Sequence, residues 1–236
     1  MTASPDLSGA AIAFDLDGTL VDTAPDLIGT LNGVLAEHGH PSLPLEASRW
    51  LVGQGARAML ERGFGAVGET LAADRMDRLF DRFISLYRDR IARESRPFPG
   101  VVDALDQLQQ AGARLVVCTN KPTGLSCALL DALGLSQHFA AIVGPDLAGA
   151  SKPDARHLAY AVEAAGGALA RALMVGDSGA DVGAARAAGA PVIAVSFGYT
   201  EVAARDLGAD LVIDHFDQLA DAARRLLNPA HGPPHP

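Results

Sequence analysis

The chain is poor in cysteine and lysine, and each scarcity excludes something. Cys118 and Cys127 are its only cysteines in 236 residues. Two thiols are too few for a disulfide framework or for a metal centre built from cysteine, so they read as reduced, partly buried side chains of an intracellular protein. Of 19 basic residues only Lys121 and Lys152 are lysines. Acidic residues outnumber basic ones, the net charge is -9, and no basic block interrupts the pattern. Nucleic acid and anionic membrane surfaces are therefore not expected partners. No apolar run reaches the roughly 18 residues that span a bilayer. Met1 to Ser8 lacks the positive region and long apolar stretch of a signal peptide, and a cytoplasmic protein is expected. The oligomeric state is not legible beyond monomer or homodimer.

Hydrophobic residues are plentiful, at 49%, enough for a sizeable core. Ala11 to Phe14 reads as a short buried strand. From about residue 22 to 95 the apolar spacing is helical and no strand is expected. Pro97-Phe98-Pro99-Gly100 punctuates the chain. After it strands and helices alternate: helix from Val101, strand Arg114 to Cys118, helix from Thr123, strand Ala141 to Val143, helix from Pro153 to Ala165, strand Ala172 to Gly176, helix from Ala180, then strands near Val195 and Leu211 and a last helix from Asp217. Alternation of this kind predicts an α/β fold, a Rossmann-like parallel sheet with helices on both faces. The expected division is an α/β core of residues 1–21 and 96–228, a small all-helical cap of residues 22–95 inserted after the first strand, and a disordered tail of residues 229–236, whose two histidines lack the spacing to fix a metal.

Parallel sheets bind ligands at the carboxyl ends of their strands. The first strand ends in Asp15-Leu16-Asp17-Gly18. Alternate residues of a strand share a face, and two carboxylates held that close must be hydrated, paired or bridged by a cation. The strand before Thr119-Asn120-Lys121 ends in a hydroxyl, an amide and an ammonium. Ser151-Lys152 precedes another helix. Gly176-Asp177-Ser178 follows a further strand, with Asp181 one turn on. Such a set fits a phosphoryl group held with Mg²⁺, which prefers carboxylates, waters and phosphate oxygens. Asp15, Asp177 and the backbone carbonyl of Asp17 are candidate ligands. Thr119, Asn120 and Lys152 are candidate donors to the phosphoryl oxygens. Each has a plainer reading: Thr119 and Asn120 as helix caps, Asp177 and Asp181 as acids favouring a helix dipole, Lys121 as a surface cation.

Asp15-Leu16-Asp17-Gly18-Thr19-Leu20, Thr119-Asn120-Lys121, Lys152-Pro153 and Gly176-Asp177-Ser178 with Asp181 resemble, in order, the four motifs of the haloacid-dehalogenase-like hydrolases. Asp22 to Leu27, Val52-Gly53-Gln54-Gly55 and Phe197-Gly198-Tyr199 are most similar to the phosphoglycolate phosphatases of that superfamily. The resemblance implies a Mg²⁺-dependent phosphatase acting on a small phosphorylated metabolite. Asp15 would be the nucleophile that forms an aspartyl-phosphate, and Asp17 the general acid and base. Lys152 would balance charge and Thr119 hold a phosphoryl oxygen. Asp15, Asp17, Asp177 and Asp181 would serve the metal, Asp181 directly or through water. Asn120 is a candidate substrate-binding residue. In the cap, Arg57 is the candidate partner of a substrate carboxylate, with Arg49 and Arg62 as rivals. The alternatives are a sugar phosphomutase using the same aspartate pair and a non-catalytic domain that binds phosphorylated ligands. A Schiff-base phosphonate enzyme is excluded by the absence of lysine from residues 22–95.

Overall fold

The computed structural model describes residues 7–199 and 202–228. The expected disordered tail, residues 229–236, lies outside the described residues.

The chain enters on β1 (Ala11–Phe14), followed by the two-residue β2 (Val21–Asp22). Four helices come next: α1 (Ala24–Glu37), α2 (Leu45–Ser48), α3 (Ala56–Ala66) and α4 (Ala73–Arg88). The return is β3 (Arg96–Pro97). Then come α5 (Val101–Gln110), β4 (Arg114–Cys118), α6 (Thr123–Ala132), β5 (Ala141–Val143) and α7 (Pro145–Ala148). The chain closes with α8 (Ala155–Ala164), β6 (Ala172–Gly176), α9 (Gly179–Ala188), β7 (Val192–Val195), β8 (Leu211–Ile213) and α10 (Leu219–Leu227).

Six strands form one parallel sheet in the order β5-β4-β1-β6-β7-β8. Counting only these strands along the chain, the order is 3-2-1-4-5-6, the doubly wound arrangement. Its direction reverses between β1 and β6, so the crevice for a ligand opens beyond their carboxyl ends. Alternation along the strands supplies both faces. Ile12, Phe14, Leu115, Val117, Leu173 and Val175 point to the side covered by α5, α6 and α10, whereas Ala13, Val116, Cys118 and Met174 point to the side covered by α8 and α9. These strands are buried on both faces, so they read as continuous apolar runs in the sequence.

The helices between β2 and β3 pack around an apolar cluster that includes Leu31, Leu60, Phe64, Leu79, Phe83 and Tyr87, joined by Leu125 and Tyr199 from the sheet layer. The segment that was expected to lack strands is bracketed by an antiparallel ribbon, with Val21 opposite Pro97 and Asp22 opposite Arg96. Asp26 on α1 ties the return strand to the entry. It accepts from the Glu94 and Ser95 amides and from the Ser95 hydroxyl, at 2.8–2.9 Å. Two local expectations are corrected. The helix expected to begin at Pro153 begins at Ala155, because Asp154 caps it by accepting from the Arg156 amide at 2.9 Å. The last helix begins at Leu219 after a tighter turn over Phe216–Gln218. The short helix α7 was not expected, since four residues are too few to show a period.

Candidate active site

The tips of β1 and β6 bring the nucleophile candidate against the acidic turn. Asp15 directly follows β1, its amide donating to the Val175 carbonyl of β6 at 2.9 Å. Asp177 directly follows β6 and Asp181 lies in the first turn of α9. The carboxylates of Asp15, Asp177 and Asp181 are all buried, and one oxygen of each lies within 4.8 Å of the others. Lys152, from the loop before α8, is the counter-ion. Its Nζ lies 2.8 Å from Asp15 Oδ1 and 2.6 Å from Asp181 Oδ1.

Side chains and backbone hold each group in place. Asp181 Oδ2 accepts from the Ser178 amide at 3.0 Å and its hydroxyl at 2.6 Å. Asp181 is therefore both the acid of a capping box and a partner of Lys152. Asp177 accepts from Thr19 Oγ1 at 3.3 Å and from the Tyr199 amide at 2.7 Å. Two glycines make room for it. At Gly18, where φ is +86°, a Cβ would fall 2.4 Å from Asp177 Oδ2, and at Gly198 a Cβ would fall 2.1 Å from the Asp177 Cβ. Asn120 does not stand free for a ligand as expected. Its amide clasps the Lys152 backbone, donating to the carbonyl at 3.1 Å and accepting from the amide at 2.9 Å. It thereby fixes the base of the lysine.

Three carboxylates against one ammonium leave two negative charges in a buried space. Burial pushes the Asp15 carboxyl up to about 6 in spite of Lys152, with Asp181 and Asp17 adding to the rise. Burial, followed by Asp15 and Asp181, also drives the Asp177 carboxyl well above its ordinary range. Lys152 is held in its charged form by Asp15 and Asp181 against the cost of its burial. An all-oxygen donor set with a two-charge deficit fits a hard divalent cation.

Asp17 lies apart from this triad. Its side chain accepts two hydrogen bonds from Lys121 Nζ, at 2.8 and 2.9 Å, and is not among the carboxylates gathered at the cluster as expected. Thr119 is buried and its Oγ1 accepts from the Lys121 amide at 3.1 Å, which leaves its proton free to donate. Arg57 is not brought to the site. It is exposed, pairs with Asp77 at 2.8 Å and stacks on Phe80. Arg49 pairs with Asp22 and Glu46. Arg62 lines a wide cavity of about 610 Å³ together with Trp50, Gln54, Lys152 and Asp177.

Sequence reasoning undervalued Lys121 and passed over Tyr87. Lys121 is buried, paired and set 4.7 Å from the Tyr87 ring centre. Its signal was the rarity of lysine in an arginine-rich chain. Tyr87 had none, because its place on α4 reads as one more apolar-stripe residue.

Comparison with known proteins agrees with this geometry. The haloacid dehalogenase-like hydrolase family profile matches residues 10–189. A phosphoglycolate phosphatase of Caulobacter vibrioides is 57% identical over 99% of this chain and 98% of its own. An N-acetylmuramic acid 6-phosphate phosphatase of Pseudomonas aeruginosa is 35% identical over 92% of this chain and 96% of its own. The crystal structure of a predicted phosphoglycolate phosphatase from Haemophilus somnus superposes with a TM-score of 0.85 at 28% identity, covering 93% of this chain and 99% of that one.

Proposed function

The chain belongs to the haloacid dehalogenase-like hydrolases, and from that premise we propose a Mg²⁺-dependent phosphatase whose preferred substrate is 2-phosphoglycolate. The observation that carries this reading is the burial of Asp15, Asp177 and Asp181 around Lys152 at the switch point of the sheet, with Asp17 outside that cluster and paired with Lys121. A relative named phosphoglycolate phosphatase at 57% identity supports the choice of substrate.

Asp15 attacks phosphorus through a carboxylate oxygen. A bond forms from that oxygen to phosphorus while the ester P–O bond breaks, and the leaving alkoxide takes its proton from Asp17. Asp17 then removes a proton from water, which attacks the aspartyl-phosphate and returns Asp15 with release of inorganic phosphate. Lys152 offsets the charge on Asp15 before attack, and Thr119 donates to a phosphoryl oxygen. Asn120 keeps Lys152 in register. Asp15, Asp177 and the Asp17 carbonyl would hold Mg²⁺, with Asp181 binding directly or through water. When bound, the ion supplies charge neutralisation for an anionic substrate approaching an anionic nucleophile.

In this reading the helical segment of residues 22–95 is a cap over the strand tips, and its ribbon at Val21–Asp22 and Arg96–Pro97 is the hinge. Closing it excludes water from the aspartyl-phosphate until the leaving group departs. The test is phosphate release over a panel of 2-phosphoglycolate, sugar phosphates, nucleotides and pyrophosphate. The expected result is the highest kcat/KM for 2-phosphoglycolate. A higher value for a sugar phosphate, or its conversion into an isomer, would replace this substrate assignment.

A further inference from the structure

A small cavity of about 30 Å³ lies between the helical segment and the strand tips, and both Asp15 and Asp17 line it. A leaving group that receives a proton from Asp17 must occupy this space. Its walls are largely apolar, formed by side chains such as Leu27, Met59, Phe83 and Leu125. Among the described lining residues Lys121 is the one cation; Lys152 lines the wider neighbouring cavity, which shares Val52, Gly53 and Asn120 with this one. Lys121 is buried, and two of its three protons go to the two oxygens of Asp17. Beside it stands Tyr87, 1% exposed, whose hydroxyl proton has no acceptor within the described protein. A buried hydroxyl without a partner is costly, and one that lines a catalytic cavity calls for an acceptor from a ligand.

We propose that Lys121 Nζ and the Tyr87 hydroxyl form the subsite that binds the carboxylate of the substrate's leaving group. The inference rests on the phosphatase reading above and extends it to the group that is recognised. A cation beside a neutral donor in a narrow, apolar-walled space suits a compact planar anion with two acceptor oxygens. A second phosphate is bulkier and carries more charge than one ammonium balances, and a neutral hydroxyl leaves the approaching ammonium without a second anion. The subsite draws on both layers, Lys121 following β4 and Tyr87 from α4. It is complete only with the helical segment seated on the sheet, so the carboxylate would be read by the closed form.

The test compares 2-phosphoglycolate with 2-hydroxyethyl phosphate, which replaces the carboxylate by a hydroxymethyl group at nearly the same size. The ratio of the two kcat/KM values is the readout, since a purely structural defect lowers both together. The wild-type enzyme should favour 2-phosphoglycolate. Tyr87→Phe should reduce the ratio roughly tenfold, mainly through KM, and Lys121→Gln should reduce it further, as loss of a charge-assisted contact costs more than loss of a neutral one. Tyr87→Phe deletes a single oxygen and keeps the ring, so it remains informative if Lys121→Gln fails to fold. An unchanged ratio in Tyr87→Phe and in folded Lys121→Gln, with wild-type preference intact, overturns the subsite and leaves the substrate assignment standing. A wild-type enzyme with no preference between the two esters overturns both.

Discussion

The Tyr199 hydroxyl donates to Asp22 Oδ1 at 2.5 Å. The phenolic oxygen of Tyr199 in turn accepts from the Ala24 amide at 3.0 Å, while the Tyr199 backbone amide donates to Asp177 at 2.7 Å. One residue thus joins the acidic triad to the chain as it enters the helical segment. Tyr199→Phe removes the phenolic oxygen, leaving the Ala24 amide and Asp22 each short of a partner. The expected cost is about 1–3 kcal/mol, read as a lower urea midpoint with unchanged slope. An unaltered midpoint would show that water replaces the phenol at no cost.

Asp15→Asn should abolish turnover, because an amide oxygen is too weak a nucleophile to form the acyl phosphate. Its stability should move the other way. The folded carboxyl at about 6 holds its proton more tightly than the unfolded one near 3.8. Charging Asp15 therefore costs folded stability as pH rises through that window, and the cost is fully present above it. In EDTA at pH 7.5 the asparagine variant should melt at or above wild type, whereas at pH 4 the advantage should vanish.

Removing the metal should stop hydrolysis by wild type, and adding Mg²⁺ should restore activity and raise the melting temperature by mass action. Ca²⁺ should restore less, since it favours longer bonds and more ligands than a three-carboxylate cluster supplies. Equal rescue by both ions would count against the assigned donor set.

His157 gives the fold an acid-side weakness. Its ring is buried, it sits near Lys152, and burial pulls its pKa down to about 4. A base with a depressed folded value protonates first in the unfolded chain, so stability falls as pH drops from 6.5 toward 4. At pH 5 the loss from this group is about 2 kcal/mol. His157→Gln, which can still donate to the Val143 carbonyl that His157 contacts at 3.2 Å, should flatten urea-midpoint profiles between pH 5 and 7.5. A variant as acid-sensitive as wild type would place the weakness elsewhere.

Arg57→Ala should leave KM for 2-phosphoglycolate within about twofold of wild type, because an exposed pair with Asp77 contributes little. A selective rise in KM would return Arg57 to the role its sequence position suggested.

Most of the architecture was legible because apolar runs and their punctuation are local. Ala11–Phe14, Arg114–Cys118 and Ala172–Gly176 are strands whose burial on two faces leaves an uninterrupted apolar record. Motif order singles out Asp15, Lys152, Asp177 and Asp181, because each sits at a strand end, in a first helical turn or in the loop before a helix. Arg57 was misplaced for the opposite reason. The facing of a surface arginine depends on which neighbour it meets, here Asp77 and Phe80 on another helix.

Short-range spacing is enough to set the alternating frame and the chemical kinds of group at its edges. Which cation meets which acid follows from how the layers pack. Lys152 chose Asp15 and Asp181, Lys121 chose Asp17, and Tyr87 came down on Lys121 from a separate helix. These contacts join residues as many as 137 positions apart in the numbering of Asp15 and Lys152. Charge pairing at that separation is set by how layers stack, which no local pattern records.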